Sequence, residues 1–312
     1  MARIASTVLV VALLAATVAA FVLTQGLKLE KSPIFGTKVE DAVFSPVCGC
    51  DKRAAKVAFR LRSADRVDIT IVDGDDRVVR TIERGRSYPK GLVAFRWNGR
   101  DDRGRVLPES TYRPRVHLAR EHFTTTLPNP LRIDVTRPVV TLVAVAPRVF
   151  SPDGDGRSDR VVARIRASES VRGTLFVNGK RRQLKRFRAE ADTLSWNGRI
   201  GGRPARQGVY AIQAGGIDEA GNRAERTRDV PVVLRYVALG RDRVVATAGS
   251  RFAIRVSADA EIVRWTLGGR SGLAAPGTLR LRAPLQKGTF TLTVEAAGHA
   301  ARAPVFVRER PS

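Results

Sequence analysis

Two short motifs and a tyrosine strand recur in this chain about one hundred residues apart, and this spacing constrains the fold more than any other feature. Val-Phe-Ser-Pro stands at 43–46 and again at 149–152. Trp-Asn-Gly-Arg stands at 97–100 and again at 196–199. Thr-Tyr-Arg-Pro-Arg-Val follows the first copy at 111–116, and Gly-Val-Tyr-Ala-Ile-Gln follows the second at 208–213. Three landmarks in one order, offset by 106, 99 and 98 residues, mark a duplicated domain.

Between the landmarks the pattern is one of strands. Val57, Phe59 and Leu61 alternate with polar or small residues, as do Val67, Ile69 and Ile71. A period of two is the signature of a half-buried antiparallel strand. Turn dipeptides separate the runs at Asp73-Gly74, Asn98-Gly99, Arg103-Gly104 and Asn178-Gly179. The expected fold is all-β: tandem Ig-like β-sandwiches preceded by one N-terminal transmembrane helix. The expected boundaries are an anchor or signal segment over 1–27, a linker over 28–40 and a first domain over 41–137. A repeat of that domain over 138–234 and a smaller, different Ig-like domain over 235–312 follow.

From Ile4 to Leu23 no residue is charged. Twenty helical residues rising ~1.5 Å each cover the ~30 Å core of a bilayer. A cleaved signal peptide is the competing reading, with Val18-Ala19-Ala20 as its cleavage site, although the apolar run continues through Leu23. Arg3 lies on one side of the run and Lys28 and Lys31 on the other, so charge orients it weakly. With the N-terminus inside, either reading exports the rest. The expected location is the cell membrane, single-pass, with an extracytoplasmic C-terminal region.

The chain holds 55 basic and 30 acidic residues, a net charge of +25. The excess is +9 over 1–137, +8 over 138–234 and +8 over 235–312. Even spacing and the preference for Arg over Lys fit a GC-rich genome and argue against a dedicated nucleic-acid patch. Such a surface still attracts anionic polymers or lipid head groups at low salt. One cluster stands out after the Asn178-Gly179 turn: Lys180, Arg181, Arg182, Lys185, Arg186 and Arg188. It is a candidate polyanion-binding ribbon, or else an ordinary solvated hairpin.

F-S-P, the strand pair Val67–Arg80, W-N-G-R-D-x-x-G at 97–104 and the tyrosine strand together resemble the Ig-like domain of flagellar hook-capping proteins. The Phe-Ser-Pro-Asp-Gly-Asp-Gly start of the second copy also resembles gliding- and surface-associated C-terminal modules. The resemblance covers about residues 41–230. It implies a β-sandwich in a bacterial membrane-anchored surface protein, and no chemistry. Nothing else in the chain resembles a hook-capping protein.

Asp153, Asp155 and Asp159 have the D-x-D-G-x-x-D spacing of extracellular calcium loops, whose ion needs six to eight oxygens. Turn formation by the same residues is the plain alternative. A bound calcium is expected to stiffen the junction between the first and second domains, with Asp218 a candidate to approach the loop. The equivalent stretch of the first copy carries Cys48-Gly49-Cys50 instead. An internal disulfide, free or intermolecularly linked thiols, and a metal all remain open there. Trp97 and Trp196 beside their turns are expected in the core. His117, His122 and His299 form no catalytic motif, and no nucleophile elbow, zinc-protease or phosphate-loop signature is present. The expectation is therefore a non-enzymatic structural or adhesive protein. The alternatives are a binder of anionic envelope polymer and a calcium-stiffened spacer. Its partner is an unidentified envelope protein or anionic polymer, the membrane is met through the N-terminal helix, and no nucleic acid is expected.

Overall fold

The computed structural model describes residues 11–21 and 31–309. Residues 11–21 form a helix about 16 Å long, half of what a bilayer core requires. No helix among the described residues is long and apolar enough to cross a membrane. The rest of the expected span, 4–10 and 22–23, lies outside the described residues. The chain divides into two compact units, 1–135 and 136–312. The first holds one β-sandwich and the second holds two, each around its own apolar core.

Module one has nine strands. They are β1 (Ile34–Glu40), β2 (Val43–Phe44), β3 (Ala55–Leu61), β4 (Asp65–Val72), β5 (Val78–Tyr88), β6 (Gly91–Trp97), β7 (Thr111–Leu118), β8 (Phe123–Thr126) and β9 (Leu131–Ile133). One sheet has the order β1-β3-β6 and the other β2-β9-β7-β4-β5, with β2 and β9 parallel. Alternation sets which face is buried: Val57, Phe59 and Leu61 of β3 and Val67, Ile69 and Ile71 of β4 meet between the sheets. The expected linker over 28–40 is corrected here, because 34–40 is β1 and pairs antiparallel with β3. Ile34 is buried, while Gly36, Thr37 and Lys38 give this edge strand the polar look of a linker.

Module two repeats the plan with β10 (Val140–Ala146), β11 (Val149–Phe150), β12 (Val161–Val177), β13 (Lys180–Leu184), β14 (Ala189–Trp196), β15 (Arg199–Ile200), β16 (Arg203–Pro204), β17 (Gly208–Ile217) and β18 (Val230–Leu234). The seventeen-residue β12 serves both sheets. Its first half pairs β10 and β14, its second half β17 and β13, and the register shifts between Arg166 and Val171. It therefore does the work of β3 and β4, which Arg62-Ser63-Ala64 separates in module one.

Module three has β19 (Ala238–Leu239), β20 (Val244–Thr247), β21 (Arg251–Ser257), β22 (Val263–Leu267), β23 (Arg270–Ala274), β24 (Gly277–Arg282), β25 (Gly288–Ala296) and β26 (His299–Arg308). Its sheets run β19-β21-β24 and β20-β26-β25-β22-β23, with β20 and β26 parallel. Apart from β8, which has no counterpart, this is the strand order of module one, although both sequence motifs are absent. The third domain is thus the same topology, not a different one.

The two motifs recur together because they touch. Gly99 and Gly198 sit at φ +71° and +69°, which only glycine adopts cheaply. A Cβ on Gly99 would lie 2.6 Å from Pro46 Cγ, and one on Gly198 would lie 2.5 Å from Pro152 Cγ. The glycine of each Trp-Asn-Gly turn is thereby closed over the proline of its own Val-Phe-Ser-Pro.

Candidate functional site

The tryptophans form the core of this lock. Trp97 is 1% exposed and Trp196 3%. Each donates its indole N–H to a turn carbonyl, Trp97 to Arg100 O at 3.1 Å and Trp196 to Arg199 O at 2.9 Å. Each ring is met edge-on by two aromatics, Phe44 and Tyr112 in one copy and Phe150 and Tyr210 in the other. Tyr112 and Tyr210 then bond back to Pro108 O and Arg206 O, four residues upstream. The repeated residues are thus structural, and no sugar-stacking tryptophan faces solvent in either motif.

The acidic loop is more than a turn. Ligand oxygens of Asp153, Asp155 and Asp159 lie within 4.8 Å of one another. Asp159 accepts the Gly154 and Gly156 amides at 2.7 and 2.9 Å, which wraps the loop around its carboxylate. Asp155 accepts Arg157 N at 2.7 Å, and Ser151 Oγ donates to Asp153 at 3.2 Å. The loop faces module three, so the expected place at the junction of the first two modules is corrected. Arg157 Nη2 donates to Glu261 Oε1 at 2.8 Å, and Asp259 of the third module approaches Asp153 and Asp155. Burial pushes the Asp259 carboxyl up. The neighbouring Ser151 hydroxyl opposes this, and the Asp153 and Asp155 charges add to it.

Among the described residues, two buried polar atoms at this junction have no hydrogen-bond partner, Asp259 Oδ1 and the hydroxyl of Tyr236, whose residue is 1% exposed. Burial raises the Tyr236 hydroxyl pKa, and among the charges around it Asp153 raises it most. The imidazole of His299 stacks flat on the Tyr236 ring at 3.5 Å, and burial lowers its pKa against the pull of Asp153. Asp218, expected as a possible neighbour, is instead buried in its own turn, accepting Gly221 N and Asn222 N. Sequence reasoning missed Asp259 and Tyr236 because the first lies 100 residues from Asp159 and the second reads as core.

The six cations of the hairpin differ in their surroundings. Lys185 is ion-paired to Asp192 at 2.9 Å, and the Arg182 Nε is buried. Arg186 lies over Phe187, itself 75% exposed, while Lys180 and Arg188 are solvated. Cys48 and Cys50 are joined to each other with their Cα atoms 5.2 Å apart, around Gly49 at φ +60°. The acidic loop of module two is replaced there by a covalently closed turn. His117 bonds Thr124 at 2.8 Å, and neither it nor His122 belongs to a cluster of metal-ligating residues among those described.

Tandem Ig-like β-sandwiches are what this fold defines. Residues 50–121, running from the disulfide turn through β7, match the family model of the FlgD Ig-like domain. The match does not extend to module two, which shares the repeated motifs and strand order of module one. No curated protein matches the chain. Among solved structures, the fibronectin(III)-like modules of Clostridium thermocellum CbhA share 13% identity, covering 64% of this chain and 94% of that one at a TM-score of 0.35. The I9–I11 tandem of titin shares 10% identity, covering 88% and 100% at 0.33. FlgD from P. aeruginosa shares 20% identity, covering 42% and 80% at 0.23.

Proposed function

We propose that this chain is a non-enzymatic, membrane-anchored extracytoplasmic protein with a structural or adhesive role. The observation that carries the reading is one strand order used three times, each copy closing its own core. Serial modules of this kind extend reach and present surface, and Ig-like families are generally non-catalytic. The uncharged run from Ile4 to Leu23 supports the anchor. Residues 29–312, used as bait on the envelope fraction and eluted in salt steps, test the role. A defined protein retained through high salt supports it, since shape-specific contacts outlast screening. Release of acidic polymer at low salt transfers the role to the anionic-polymer alternative. Recovery of neither counts against both.

A second reading, a calcium-stiffened spacer, is favoured by the unpartnered Tyr236 hydroxyl and Asp259 Oδ1 beside the acidic loop. Asp153, Asp155 and Asp159 supply the clustered carboxylates, and Asp259 of module three lies near them, so an ion that drew Asp259 in would join modules two and three. A ligand that binds only the folded state at one hundred times its Kd adds about 2.7 kcal/mol. Millimolar calcium is therefore expected to raise the melting temperature of unit 136–312, EDTA to reverse the rise, and Asp155→Ala to remove it. An unchanged melt at 10 mM calcium, an arbitrary but generous ~10 mM for extracellular sites of Kd up to ~1 mM, sinks the reading.

A further inference from the structure

Every module carries an arginine cleft at the same place, where the first sheet's last strand approaches the second sheet's edge. The most voluminous of the three is in module three. It has a volume of about 950 Å³, and Arg251, Arg270, Arg280 and Arg282 line it with Leu285 and Phe290. Module two has a cleft of about 470 Å³ bordered by Arg160, Arg181 and Arg182. Module one has one of about 500 Å³ bordered by Arg53, Arg80 and Arg96. The arginines come from equivalent elements. Arg53 and Arg160 precede β3 and β12 by two residues and one, and Arg251 opens β21. Arg80, Arg181 and Arg270 stand on β5, β13 and β23, and Arg96 and Arg280 stand on β6 and β24.

Two features single out module three, whose four arginines, like those of the module-two cleft, have no acidic side chain lining the cleft and no ion pair among the described residues. In module one, by contrast, Arg80 binds Asp101 O and lies 3.4 Å from Asp102. Arg251 and Arg282 are direct cross-strand partners, and like charges placed opposite each other are destabilising unless an anion lies between them. The end of the sandwich is also open. Where Trp97 and Trp196 terminate β6 and β14, β24 runs on into the small Ala283 and Pro284, which line the cleft. The planar forks of arginine match oxyanions in bidentate fashion, and Leu285, 82% exposed, offers an apolar wall beside them.

We propose that the module-three cleft binds a linear polyanion, one that carries successive phosphate or carboxylate groups along a chain, and that the clefts of modules one and two are weaker copies of it. A concave site between sheets admits a chain, whereas a planar bilayer surface cannot follow it. Several copies favour a long ligand over a short one through effective concentration. The proposal rests on the adhesive reading only for its setting, because purified chain and purified polymer test the cleft whatever the envelope bait retains.

The test is titration of the full chain in detergent with long-chain polyphosphate, tripolyphosphate, a polyuronate and phosphatidylglycerol vesicles, at several salt concentrations. Long polymer is expected to bind at least tenfold tighter than tripolyphosphate. Arg280→Ser with Arg282→Ser, both on an exposed strand face, is expected to weaken polymer binding about tenfold and to flatten its salt dependence. Arg186→Ser with Arg188→Ser removes the same charge from the hairpin and is expected to change binding less than twofold. Arg270→Ser provides an independent variant should the double change unsettle β24. Phosphate and carboxylate polymers run in parallel distinguish the source of the oxyanion. Equal losses from the cleft and hairpin variants, binding to vesicles alone, or binding to none of the probes overturns the proposal.

Discussion

Trp97→Ala is expected to lower the melting temperature of module one by about 15–30 °C, and Trp196→Ala to do the same to module two. Removing a buried tryptophan typically costs about 3–5 kcal/mol in lost transfer energy and cavity. For a domain of about 100 residues each kcal/mol is worth roughly 4–8 °C. The site has little means of collapse. Phe44 and Tyr112 meet the Trp97 ring at centroid distances of 5.6 and 5.2 Å, and the Gly99 turn is already closed over Pro46. The Arg100 carbonyl also loses its donor. Trp265→Ala is the internal comparison. That ring lies on the core-facing side of β22 with Val263 and Leu267 but is only half-buried, folded over Gly272 at the edge of the core, so its loss is expected to cost less than half as much. Calorimetry of the three single variants decides the matter. A Trp265 variant that melts as low as the Trp97 variant would refute the idea that the repeated motif locks each sandwich.

The contrast also explains what could be read from the residues in order. The lock is local and chemically distinctive, since a turn glycine, an indole and a Phe-Ser-Pro must occur together for it to exist. It therefore appears twice in the sequence as well as twice in space. The third copy of the topology has no such marker. Its strand order rests on Ile254, Val256, Leu279 and Leu281 alternating inward, and many β-folds share that pattern. The strand at 34–40 was hidden for the opposite reason, because an edge strand with one buried isoleucine looks like a polar tether. Charge was legible in amount but not in placement. The run after Asn178 appeared to be the basic site, yet folding pairs Lys185 with Asp192, lays Arg186 over Phe187 and buries the Arg182 Nε. The arginines that do converge, Arg251, Arg270, Arg280 and Arg282, are spread over three strands and join only when β21, β23 and β24 are assembled. The acidic loop shows the same division. Its three carboxylates, Asp153, Asp155 and Asp159, are close in sequence, and Asp259 near them comes from another module.

Asp65→Ala is expected to destabilise module one by about 2–4 kcal/mol, and the native module is expected to lose stability steeply below about pH 4. Asp65 is buried at the start of β4, where its Oδ1 accepts Arg66 N at 2.6 Å and Arg120 N at 2.9 Å, and its Oδ2 accepts Glu121 N at 3.1 Å. It pins the turn after β7 to the start of β4. Alanine leaves three amide donors without acceptors, and each unmet buried group costs roughly 1–3 kcal/mol, partly offset where water reaches it. The pH dependence follows from the same bonds. Burial alone would raise the carboxyl pKa, but the amides of Arg120, Glu121 and Arg66, with the Arg120 charge, outweigh it and hold the group below the usual carboxylate range. A carboxylate whose folded pKa lies below its unfolded value of about 3.9 contributes its full stability above that value. The contribution falls away as the pH drops through the folded pKa. Denaturant melts of residues 31–135 between pH 7 and pH 2 are expected to show this acid limb. Asp65→Asn keeps an acceptor but no ionisable group, so it should be less stable at pH 7 and show a shallower limb. An Asn variant with an acid limb as steep as that of the native chain would place the titration elsewhere, with Asp73 and Asp101, whose amide-bonded carboxylates are held low in the same manner, as the next groups to replace.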